Sequence, residues 1–114
     1  MRKSLNQKQR LPQSKYGNKK TVYNGRLYDS KKEAGRAQEL DILVRVGEVI
    51  SWSPQPVFRI EHRGVNICKY IADFMVEYAD GRIEYEDVKG FRTAIYRLKK
   101  KLVKAFYSVD IKEI

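Results

Sequence analysis

The chain has 114 residues, with 24 Lys and Arg against 14 Asp and Glu, a single Cys and a formal net charge of +10. One cysteine excludes an intrachain disulfide and a Cys-based zinc site, so disulfide-stapled mini-proteins and zinc fingers are both ruled out. No apolar run approaches the roughly 18 residues that span a bilayer, and the start Met-Arg-Lys-Ser lacks a signal peptide's apolar stretch. These features predict a soluble, cytoplasmic protein.

The charge is unevenly distributed. Residues 1–20 contain Arg2, Lys3, Lys8, Arg10, Lys15, Lys19 and Lys20 and no acid, which leaves 17 basic against 14 acidic residues in the remainder. This segment reads as a flexible basic arm on a domain spanning residues 21–114. Such an arm suits a polyanion, because each neutralised phosphate releases condensed counterions. It lacks the apolar residues that an interfacial membrane helix inserts.

In chain order, Asn24-Gly25 between β-favouring residues predicts a small hairpin over 21–28. Ser30 with Glu33 three residues on has capping-box spacing, so a first helix starts there. Ala37, Leu40, Leu43 and Val44 form its core-facing stripe, and Gly47 ends it. Trp52 and Ser53-Pro54-Gln55-Pro56 read as an irregular interruption. Residues 57–61 alternate as a strand, and 67–78 read as one long strand. Asp80-Gly81 makes a tight connection to a strand over 82–89, which Gly90 breaks. From Thr93 a basic amphipathic helix follows, with Ile95, Leu98, Leu102, Ala105 and Phe106 as its apolar residues, and 108–114 form a last strand. The predicted class is α/β, a hairpin followed by an α-β-β-β-α-β core with a mixed sheet flanked by helices.

Asp73 stands mid-strand among apolar neighbours, where an ionised carboxylate is costly without a partner. Across the Asp80-Gly81 turn an antiparallel strand brings Asp87 and Lys89 to one face, with Glu86 on the other as the second choice. Two carboxylates, the Val88 carbonyl and an ammonium then converge. Hard oxygen donors in small number suit Mg²⁺, with Mn²⁺ as a substitute, and the set fits phosphodiester hydrolysis. The cation would polarise the phosphoryl oxygen and Lys89 would orient the nucleophile or neutralise the transition state. Beside this set, Tyr96, Arg97, Lys99, Lys100 and Lys104 on the second helix, with Lys19 and Lys20 of the arm, are the candidate DNA-backbone contacts. His62 reads as a turn residue and Cys68 as a core thiol.

Asp73, thirteen residues, then Asp87-Val88-Lys89, in this element order, resembles the PD-(D/E)XK nuclease superfamily. The strings Lys15-Tyr16-Gly17-Asn18-Lys19, Asp29-Ser30-Lys31-Lys32-Glu33, Tyr70-Ile71-Ala72-Asp73-Phe74 and Glu86-Asp87-Val88-Lys89-Gly90 resemble a family of small phage-encoded proteins long described as of unknown function. The sequence departs from the superfamily pattern at Ala72, where Pro is expected, and at Asp87, where Glu is commoner. Neither change removes a ligand. The resemblance implies a divalent-metal-dependent DNA endonuclease similar to phage Holliday-junction resolvases, with Glu33 joining Asp73, Asp87 and Lys89. Its expected partner is branched or four-way-junction DNA, its expected assembly a homodimer, and its setting the host cytoplasm. The alternatives are a catalytically silent nucleic-acid-binding module and a scaffold whose arm docks an acidic protein.

Overall fold

A computed structural model describes residues 19–88 and 92–114. The expected arm as far as Asn18, together with Lys89 and Gly90, lies outside the described residues. The chain divides into two compact units, residues up to Ala37 and Gln38–Ile114.

In the first unit, strands β1 (Thr21–Tyr23) and β2 (Arg26–Tyr28) pair antiparallel about Asn24-Gly25. Both turn residues have positive φ, 51° and 81°, the geometry that makes Asn-Gly the favoured two-residue turn. Helix α1 (Lys31–Arg45) begins as its sequence dictates, with the Glu33 N–H donating to Ser30 Oγ at 3.0 Å.

The unit boundary falls within α1, whose C-terminal part belongs to the second unit. There the helix closes with Glu48 N–H donating to the Leu43 carbonyl and Gly47 N–H to that of Val44, a Schellman motif with Gly47 at φ 85°. Gly47→Ala meets no neighbouring atom, yet forces Cβ into a left-handed conformation. The expected cost is about 1 kcal/mol, read as a lowered urea midpoint with an unchanged m-value.

The second unit holds a four-stranded mixed sheet in the order β3-β6-β7-β8 and a two-stranded ribbon, β4-β5. The strands are β3 (Val49–Pro54), β4 (Val57–His62), β5 (Val65–Ile71), β6 (Phe74–Tyr78), β7 (Ile83–Asp87) and β8 (Ile111–Glu113). Among the described strands only β7-β8 pair in parallel, and helix α2 (Ala94–Tyr107) provides the crossover between them. Thr93 caps α2 by accepting from Tyr96 N–H, and Ser108 ends it in the left-handed region.

Four expectations are corrected here. Trp52-Ser53-Pro54 is not an interruption but the end of β3, paired with Val76, Met75 and Phe74 of β6. Pro54 is tolerated because β3 is the edge strand of its sheet, where a missing N–H breaks no ladder. The long strand over 67–78 is two strands, broken at Ala72-Asp73. Opposite this break Gln55 adopts φ 55°, its N–H donates to the Asp73 carbonyl at 3.0 Å, and the Ala72 N–H donates to that of Pro56 at 3.1 Å. The ladder thus continues through a local bend that re-aims Asp73. Ile95 and Leu98 are 61% and 55% exposed instead of in the core. Helix α2 buries Val103 in a cluster with Phe58, Ile60, Tyr70, Ala72 and Ile111, against which Tyr96 and Leu102 pack. On α1, Leu40 is buried while Val44 is exposed.

Phe74 is fully buried beside Asp73 and meets the Trp52 ring edge-on at 5.6 Å. Trp52 Nε1 donates to Asp41 Oδ1 at 2.9 Å, which ties this part of α1 to β3. Among the described residues no helix is long and apolar enough to cross a membrane.

Candidate functional site

Asp73 and Asp87 meet where β6 and β7 run side by side. The Asp80-Gly81 turn sets the register, Phe74 opposite Glu86 and Met75 opposite Tyr85, so the residue before β6 lies beside the end of β7. The Asp73 N–H donates to the Glu86 carbonyl and also approaches Asp87 Oδ1 at 3.1 Å. In return Asp73 Oδ2 accepts from the Val88 N–H at 2.8 Å. Each carboxylate is thereby anchored by the other strand's backbone, a locked arrangement that loses little entropy on engaging a ligand.

Asp87 is only 8% exposed, and its Oδ2 is buried without a hydrogen-bond partner among the described residues. Burial raises its pKa to about 6, opposed by the Asp73 N–H and the Lys100 charge and assisted by Glu113. A buried carboxylate oxygen with no donor is costly as an anion and calls for a proton or a cation. Two carboxylates joined by a backbone segment are hard oxygen donors of the kind Mg²⁺ takes, with remaining positions filled by water or phosphate. Among the described residues no three His, Cys, Asp and Glu side chains are gathered into a metal-binding cluster. The fit therefore rests on Asp73, Asp87 and the Val88 carbonyl. Glu86, the second-choice acid, is fully buried. Glu33 is a buried acid in the first turn of α1, within the first unit. Lys89 lies outside the described residues.

The parallel strand β8 sets Glu113 directly opposite Asp87. Glu113 is the hub of a second polar group. Its Oε2 accepts from Tyr96 Oη at 2.8 Å and from Lys100 Nζ at 3.2 Å, while Oε1 pairs with Arg92. The Tyr96 hydrogen bond holds the Glu113 pKa below its usual range, and burial followed by that bond pushes the Tyr96 hydroxyl up. Among the expected DNA contacts, Tyr96 and Lys100 thus hold Glu113, Lys104 pairs with Asp110 at 2.8 Å and Lys20 with Asp29 at 3.0 Å. Arg97 is exposed on the same face of α2, Lys99 is half-buried, and Lys19 is exposed in the first unit. Glu113 and Arg92 were not singled out by sequence. Their only signal was alternation in the last strand and a lone Arg after Gly90, neither of which reveals a parallel pairing.

None of the curated proteins compared with the chain matches it. Residues 13–113 match a family described as protein of unknown function (DUF1064), so that the matched span includes Asp73, Asp87 and Glu113. The chain belongs to that family.

Proposed function

We propose that the protein is a divalent-metal-dependent DNA endonuclease of the PD-(D/E)XK type, acting on branched DNA such as a four-way junction. The observation that carries this reading is the interlocked Asp73–Asp87 pair, with the buried Oδ2 of Asp87 lacking a hydrogen-bond partner among the described residues. Asp73, Asp87 and the Val88 carbonyl would hold Mg²⁺ or Mn²⁺. When bound, the cation supplies Lewis-acid polarisation of a phosphoryl oxygen and neutralises charge on the leaving oxygen. The backbone N–H groups of Asp73 and Val88 fix the two carboxylates in position, so no reorganisation is required when substrate arrives. Lys89, two residues beyond Asp87, supplies an ammonium to the attacking water or the developing phosphorane charge. The resemblance adds Glu33 as a further acid to be tested, and the basic face of α2 binds the DNA backbone.

The test compares labelled four-way junction, flap and linear duplex DNA as substrates for wild type, Glu33→Gln and Lys89→Ala, in Mg²⁺ and in EDTA. Wild type is expected to cut the junction in Mg²⁺ only, with each variant slowed by at least about 100-fold. Paired cuts on the junction further require a dimer, checked by sedimentation. Retained DNA binding with no cleavage in any metal would identify the silent nucleic-acid-binding module instead.

A further inference from the structure

Helix α2 and strand β8 enclose a cleft of about 430 Å³, lined by five cations and two carboxylates. The carboxylates are not scattered: Asp110 pairs with Lys104, and Glu113 collects Arg92, Tyr96 and Lys100. A guanidinium, an ammonium and a hydroxyl converging on one small anion form a donor set that suits a phosphate group equally well. Arg97 and Lys101 line the same cleft with exposed side chains, so the field there stays positive after both acids are counted.

We propose that this cleft binds the phosphate backbone of a DNA strand and that Glu113 is a built-in competitor, holding Arg92, Tyr96 and Lys100 until a phosphate displaces it. The inference rests on the proposed function only for the identity of the polyanion. Its consequence for that function is local: Glu113 lies opposite Asp87, so displacement moves three donors toward phosphate beside the candidate metal site.

The test measures binding of a fluorescent 20-base-pair duplex in EDTA across a salt series, where no cleavage occurs. Glu113→Gln is expected to bind about five- to tenfold tighter at moderate salt, with the log–log salt slope steeper by about one phosphate contact. Glu61→Gln removes the same charge from the β4-β5 ribbon and is expected to change affinity less than about twofold. Glu113→Asp, one methylene shorter with its charge retained, is expected to tighten binding about threefold. It is decisive if Glu113→Gln does not fold. Arg97→Gln and Lys101→Gln are each expected to weaken binding and flatten the slope by roughly 0.9. The inference is overturned if the folded Glu113 variants bind no tighter than Glu61→Gln, if the Arg97 and Lys101 variants match wild type, or if wild type does not bind. The expected pattern in a protein that cuts nothing in Mg²⁺ would support the cleft and remove the nuclease reading alone.

Discussion

Asp87→Asn is expected to abolish cleavage, by at least about 1,000-fold, and at the same time to stabilise the metal-free protein above neutral pH. The two effects have one cause. Folding moves the Asp87 pKa from 3.8 up to about 6, chiefly because burial penalises the anion. The folded state therefore favours the protonated acid. The stabilisation that this gives is complete below pH 3.8 and is lost as pH rises through 6. The shift corresponds to roughly 3 kcal/mol between those limits. The amide keeps an oxygen for the Asp73 N–H and carries no charge at any pH, so in EDTA at pH 8 the variant should exceed wild type by the order of 2 kcal/mol. At pH 4 the two should converge. Thermal or urea unfolding of both proteins at these pH values checks it, and a variant less stable than wild type at pH 8 would show that the Asp87 anion is well solvated. That cost is one that the proposed cation would offset.

Phe74→Ala should be the most damaging apolar truncation near the site, at about 3–5 kcal/mol. Phe74 is fully buried, sits between Pro54 and Glu86 in register, and meets Trp52 edge-on. Its removal leaves a cavity in the strand that follows Asp73, where the sheet loses its packing. A typical domain is stable by only about 5–15 kcal/mol, and this one change consumes much of that. Phe106→Ala, at a side chain that is 42% exposed, serves as the contrast and should cost less than about 1.5 kcal/mol. Equal urea midpoints for the two variants would mean that the core is centred elsewhere.

The features legible in the sequence are those set by near neighbours. Asn24-Gly25 and Asp80-Gly81 specify turns by backbone chemistry, and Ser30 and Gly47 specify the ends of α1. The tight turn at Asp80-Gly81 fixes the β6-β7 register, and with it the meeting of Asp73 and Asp87. Long-range pairing was not legible. Nothing local states that β8 lies parallel to β7, so Glu113 opposite Asp87 and its hold on Tyr96, Lys100 and Arg92 were invisible. Pro54 and Pro56 around Gln55 read as a break because neither carries a ladder donor. In the fold Pro54 ends β3, Gln55 takes the left-handed turn, and pairing resumes at Val57 opposite Ile71. Ile95 and Leu98 fit a helical apolar stripe, but α2 presents Tyr96 and Val103 to the core, and periodicity alone does not choose between two apolar flanks of one helix.

The most direct test of the Asp73–Asp87 site is single-turnover cleavage of a labelled four-way junction at pH 8, with Mg²⁺ or EDTA, by wild type, Asp73→Asn and Asp87→Asn from parallel preparations. Cleavage by wild type in Mg²⁺, absent in EDTA and absent in both folded variants, is the predicted result. Equal cleavage by wild type and Asp87→Asn, or cleavage that persists in EDTA, would contradict it.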